Sequence, residues 1–164
     1  MNGDFDRAIP IVLREEGGLS DNHADPGGLT NFGISQRAYP TLDIRALTEA
    51  DARAIYSRDY WPLAHGDFLP WPLCLFVFDH CVNAGRASAL KLLQQGLGVA
   101  ADGAWGPATA GALAALGPAK FDALAESYVR GRVRYYLSLA TAETFGVGWC
   151  GRVARVALKG GRGH

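Results

Sequence analysis

Long apolar runs are missing from this 164-residue sequence. The longest, Leu73 to Phe78, stops at Asp79, far short of the roughly 20 residues that a membrane span needs, so no stable membrane insertion is expected. An excess of charge is missing as well. With 16 basic and 16 acidic side chains the composition argues against a generally basic nucleic-acid binder, and no nucleic acid is expected as a partner. Cysteine is scarce: Cys74, Cys81 and Cys150 cannot all pair, and the first two stand on what reads as one helix, about 10 Å apart along its axis and beyond disulfide reach. All three are expected as reduced core thiols. Met1-Asn2-Gly3-Asp4 offers neither the basic region nor the apolar stretch of a secretory signal, which predicts synthesis in the cytoplasm. His23, His65, His80 and His164 have no metal-ligand spacing, and Asp21 to Asp25 lacks the glycine and the terminal glutamate of a calcium loop. No serine or cysteine stands in a nucleophile motif, and no glycine loop suits a phosphate. Neither a metal nor a cofactor is expected.

What is present is enough apolar material for one core: 49% of the residues are hydrophobic, in a chain of single-domain size. The neutral total hides an asymmetry. Residues 1–83 carry six Arg against twelve Asp and Glu, whereas 84–164 carry ten Lys and Arg against four acids. Apolar spacing predicts an all-α fold, with at most a small hairpin over 17–34, where Gly, Asp, Asn and Pro accumulate. The first helix carries Phe5, Ile9, Val12 and Leu13 on one stripe and runs to about Glu16, with Pro10 arguing for a start later than Asp4. Thr48 and Asp51 read as an N-cap for a helix over 49–60 that stops at Pro62. Leu73 to Asn83 is apolar nearly all round and ends at Gly85, the pattern of a buried central helix. Further helices are predicted over 86–96, 107–116, 118–140 and within 146–159.

The polar loop after the first helix concentrates Glu15, Glu16, Asp21, Asp25 and Thr30, in a chain with only five glutamates. With Phe5 at zero and 100° per residue, Glu16 falls at about 20°, within the apolar stripe, and Glu15 at about 280°. Glu16 therefore points inward, while Glu15 is expected as a solvated surface group. A carboxyl among apolar side chains loses hydration when charged, so its pKa rises, as a general acid near neutrality requires. An inward glutamate can equally cap loop amides or pair with an arginine.

Glu16-Gly17-Gly18-Leu19, Asp25-Pro26-Gly27-Gly28 and Thr30-Asn31-Phe32-Gly33-Ile34 together resemble the signature of glycoside hydrolase family 108, N-acetylmuramidases found among phage endolysins and secretion-activating proteins. The resemblance continues through Tyr56-Ser57-Arg58-Asp59-Tyr60-Trp61 and Val82-Asn83-Ala84-Gly85. It then passes into a segment similar to a small peptidoglycan-binding module, carried by Leu93-Gln94, Asp102-Gly103, Gly106-Pro107 and Thr109. It departs from the family at Leu19, often aromatic there, and at Asp21-Asn22. The resemblance implies a lysozyme-like helical fold, with a catalytic region over 1–92 and a peptidoglycan-binding-like region over 93–164 packed into one compact domain. It also implies cleavage of the β-1,4 bond between N-acetylmuramic acid and N-acetylglucosamine, with Glu16 as the acid.

Glycosidases ordinarily use a second carboxylate. Asp25 is the candidate, with Thr30, in an arrangement similar to the Glu, Asp, Thr constellation of phage lysozymes, one residue short at Thr30. Asp25 can equally serve as a turn residue bonding the amides of Gly27 and Gly28. Asp21, Asn31, Asn83, Tyr60 and Trp61 are candidates for substrate binding, and Trp71 with them could line a groove. Asn83 can instead help to close its helix, and aromatics at helical spacing more often lie in the core. Arg130, Arg132, Arg134, Arg152, Arg155, Lys159 and Arg162 suggest a basic surface for an anionic wall polymer, with at least one of the first three pairing with Asp122 or Glu126. The expected partner is the peptidoglycan glycan strand, acted on by a monomer in the periplasm or cell wall after release by a holin or a dedicated secretion path. Two other readings remain open: a lytic transglycosylase using the same acid, and a non-catalytic wall-binding or secretion-accessory protein.

Overall fold

The computed structural model describes residues 3–21 and 28–161. Its body is helical and lysozyme-like, as expected: α1 (Asp4–Glu16), α2 (Glu49–Ile55), α3 (Leu73–Ala84), α4 (Arg86–Leu97), α5 (Pro107–Ala114), α6 (Pro118–Leu137) and α7 (Ala142–Gly160). The sheet is confined to three short antiparallel strands in the order β1 (Ser20–Asp21), β2 (Leu29–Asn31) and β3 (Ile34–Ser35). Among the described residues no helix is long and apolar enough to cross a membrane.

α1 buries Phe5, Ala8, Ile9, Val12 and Leu13, the stripe read from the sequence, and the same stripe carries Glu16 inward at the helix end. The start is not delayed by Pro10, which lies inside the helix. Pro10 and Asp6 both sit on the exposed side, so water can satisfy the Asp6 carbonyl that Pro10 cannot bond. Gly17, at φ +76°, ends α1 and turns the chain into β1. β2 and β3 are joined by Phe32 and Gly33, with φ of +50° and +74°, while Asn31 pairs with Ile34. Two successive positive φ values make the type I′ turn that matches strand twist.

Thr48 and Asp51 form a reciprocal capping box at the start of α2. The predicted helix over 49–60 is continuous, but its last turn, Tyr56–Tyr60, widens into a π-helix. Trp61 follows directly and is 1% exposed, edge-on to Phe5 and Phe78, with its indole N–H donating to Asp67. It is a core residue and cannot line a groove. Trp71 is also structural, since its indole N–H donates to the Gly160 carbonyl at 2.8 Å and so pins the end of α7.

α3 is the central element and packs against α1, α4, α6 and α7. It is apolar on nearly every side, so its polar members need partners from other helices. His80 finds Tyr128 Oη at 2.9 Å and Ser88 Oγ at 3.2 Å. Burial pushes its pKa down to about 3, which keeps the ring neutral. Cys74 and Cys81 are buried free thiols, as expected; Cys150 is also free but only half-buried, so it is no core residue.

The peptidoglycan-binding-like motif closes on itself. The buried Gln94 side chain donates to Asp102 Oδ1, the Ala104 carbonyl and Thr109 Oγ1, and accepts from the Gly103 amide at 2.8 Å. Its spacing therefore encodes a loop anchored between α4 and α5. Gln94→Leu removes all four bonds, leaving the buried Thr109 hydroxyl and the half-buried Gly103 amide without this partner, and is expected to destabilise the protein by about 1–3 kcal/mol, measured by urea unfolding.

Candidate active site

Glu16 sits where the end of α1 meets the hairpin tip, with its side chain 15% exposed. Oε1 accepts from Arg152 Nη2 of α7 at 2.6 Å. That guanidinium is already committed elsewhere. Its Nε lies 3.1 and 3.2 Å from the two oxygens of Asp79, and the same Nη2 lies 2.7 Å from Asp79 Oδ1. Asp79, fully buried on α3, also receives Arg132 Nη1 of α6 at 2.6 Å. Arg132 continues to Tyr136 Oη at 3.0 and 3.2 Å, and Tyr136 donates to Asn83 Oδ1.

Two arginines and two carboxylates thus form one row that reaches from the core to Glu16. Burial opposes the charge on Asp79, but Arg132 and Arg152 outweigh it and hold its carboxyl below the usual range. Glu16 goes the other way. Burial raises its pKa, Arg152 only partly offsets this, and the nearby charges of Asp79 and Glu15 raise it further.

The hairpin supplies the opposite wall. A Cβ at Gly33 would stand 2.4 Å from Glu16 Oε2 and 2.8 Å from Tyr56 Oη, so the carboxyl occupies the space that only glycine leaves. Tyr56, in the π-helical turn, donates to the Phe32 carbonyl at 2.9 Å and holds that strained residue in place.

Other sequence candidates land differently. Asp25 lies outside the described residues. Thr30 is half-buried in β2, paired with Ser20 and Ser35. Asn31 is buried and donates to the Ile44 and Leu47 carbonyls, so its amide fastens a loop and is not available to a ligand. Asp21, exposed at the end of β1, is engaged by Arg45. Tyr60 is half-buried with its ring 4.9 Å from that of Tyr56. Asn83 keeps an exposed position while its Oδ1 is held by Tyr136.

Glu15 is not a solvated group: its side chain is 5% exposed and accepts a two-pronged bond from Arg155, with Lys159 at 3.9 Å. The expected basic surface shrinks accordingly. Arg132 and Arg152 are buried, Arg155 and Lys159 serve Glu15, and Arg130 pairs with Glu126; Arg162 lies outside the described residues. Sequence reasoning missed Arg152, Arg132, Tyr56 and Gly33 as parts of the site. Gly33 and Tyr56 stood in the motifs without a role, and the signals for the arginines were the inward Glu16 and Asp79, a carboxylate on an apolar helix, which demanded partners without naming them.

Residues 9–85 match the family model described as Glycosyl hydrolase 108, and residues 88–154 match the one described as Predicted Peptidoglycan domain. The solved structure of SagA from Brucella abortus is similar over 99% of this chain and 98% of that chain, at 35% sequence identity and a TM-score of 0.83. No curated protein matches.

The contact between Gly33 and Glu16 yields a test in stability alone. Gly33→Ala is expected to cost about 1–2 kcal/mol from its backbone angle and more from the clash with the carboxyl. A double-mutant cycle with Glu16→Ala should then return a coupling of at least about 0.5 kcal/mol, because removing the carboxyl relieves the clash. Urea unfolding of the four proteins measures it.

Proposed function

The chain belongs to the glycosyl hydrolase 108 family, with its two matched regions marking it as a peptidoglycan hydrolase, and from that premise we propose that it is an N-acetylmuramidase with Glu16 as general acid. The bond broken is the β-1,4 link from N-acetylmuramic acid to N-acetylglucosamine. The observation that carries this reading is the state of Glu16: a mostly covered carboxyl whose burial raises its pKa, backed by a cation that it shares with Asp79.

An arginine at 2.6 Å would favour a purely structural carboxylate if it were a private partner. Here Arg152 divides its donors between Asp79 and Glu16, and Glu16 remains largely dehydrated, so burial outweighs the ion pair. Glu16 therefore holds a proton more readily than a solvated glutamate does. Delivered to the glycosidic oxygen, that proton lets the bond break as positive charge develops on the muramic sugar. Water enters on that carbon, assisted by Asp25 and Thr30. Residues 1–92 supply the acid, and residues 93–164 contribute Arg152 to the same site as well as affinity for the wall. Synthesis in the cytoplasm followed by release through a holin or secretion path, and action as a monomer in the cell wall, complete the proposal.

The test is clearance of outer-membrane-stripped Gram-negative cells by wild type and by folded Glu16→Gln, which keeps shape and removes the proton. Glu16→Gln is expected to lose about 10²–10⁴-fold between about pH 4 and about pH 8. Equal clearance would make Glu16 structural. Binding to sacculi by both proteins without clearance would make the chain a wall-binding protein. Free reducing muramic ends are expected among the products, whereas 1,6-anhydromuramic ends would mean that the sugar's own 6-hydroxyl replaces water.

A further inference from the structure

The two oxygens of Glu16 are inequivalent. Oε1 faces Arg152 Nη2 at 2.6 Å, whereas Oε2 lies against the bare Cα of Gly33, beside Tyr56 Oη. A guanidinium has donors and no acceptor, so a proton on Oε1 would point at an N–H. Building on the muramidase reading, we propose that Arg152 is a positioning residue that confines the transferable proton of Glu16 to Oε2, and that Asp79, braced by Arg132, holds Arg152 in that role. The hairpin-side oxygen is thereby the one that meets the glycosidic oxygen.

The geometry supports this at each link. Arg152 is 9% exposed and cannot swing away without taking both of its donors from Oδ1 of Asp79, which is 0% exposed. Asp79 cannot follow Arg152 outward because Arg132, 2% exposed, holds its other oxygen. Arg132 comes from α6 and Arg152 from α7, so the region that matches a peptidoglycan domain completes the catalytic acid. Among the described residues, the charged or titratable groups facing Glu16 are Arg152 on α7, Asp79 on α3, Glu15 on α1, and Tyr56 and Tyr60 on the π-helical turn. Arg155 and Lys159 are engaged with Glu15.

The reaction needs Glu16 protonated, so activity is lost as pH rises through its pKa. Removing the Arg152 cation raises that pKa and moves this alkaline limb to higher pH. Neutralising Asp79 frees Arg152 for Glu16, lowers the pKa and moves the limb to lower pH. The two shifts have opposite signs, which a merely structural cluster would not produce.

The experiment measures kcat and KM against pH on a soluble uncross-linked glycan strand, for wild type, Arg152→Gln, Asp79→Asn, Arg152→Lys and Glu16→Gln, with folding checked by circular dichroism. Arg152→Gln should move the limb up by about one pH unit and lower kcat by about tenfold or more, with KM little changed. Asp79→Asn should move the limb down. Arg152→Lys, which keeps the charge and loses the planar fork, should keep the limb and lose kcat. If Arg152→Gln or Asp79→Asn does not fold, the remaining variants decide by the same signs. Unshifted limbs and unchanged kcat in the folded variants, with Glu16→Gln inactive, would overturn the role of Arg152 and leave the muramidase reading intact. An active Glu16→Gln would instead remove the reading itself.

Discussion

A carboxylate with no exposure to solvent, on a largely apolar helix, is a constraint that the surrounding helices must meet. Asp79 meets it with one arginine from α6 and one from α7, and each guanidinium is then fixed in direction. An unpaired charge at that depth would cost several kcal/mol, so helices that failed to deliver their arginines could not dock on α3. The packing of α6 and α7 is therefore tied to a particular register. That register places the remaining edge of Arg152 against Glu16.

Glu16 benefits from being second in line. A carboxyl with its own arginine would be an ionised structural group, and a carboxyl in an apolar pocket with no donor would lack a fixed orientation. Sharing Arg152 with Asp79 gives Glu16 an anchored oxygen while burial still dominates its proton affinity. The hairpin finishes the arrangement from the other side, where the missing side chain of Gly33 leaves room for Oε2 and Tyr56 ties down the strained turn. Neither wall alone orients the acid.

Much of this was legible in the sequence because it is local. The stripe Phe5, Ile9, Val12, Leu13 and Glu16 repeats every few residues, the Thr48–Asp51 cap spans four residues, and the glycine after α3 marks its end. What escaped is non-local. Arg152 stands 73 residues from Asp79 and 136 from Glu16 in the chain, and no periodicity relates them. The same limit explains Glu15, whose wheel position suggests solvent until α7 brings Arg155 and Lys159 across it. Trp61 and Asn31 read as ligand-facing from their motif, yet the motif is specified by packing and loop anchoring at those two positions. A family signature marks both chemistry and architecture, and spacing alone does not separate them.

The central claim is that Glu16 keeps a raised proton affinity although an arginine touches it. With only five glutamates in the chain, carbon-13 labelling of glutamate Cδ and assignment through Glu16→Gln allow its carboxyl to be titrated directly by NMR. The predicted midpoint lies above the ordinary value of 4.5. A midpoint at or below that value would show that the ion pair governs Glu16 and would contradict its role as the acid.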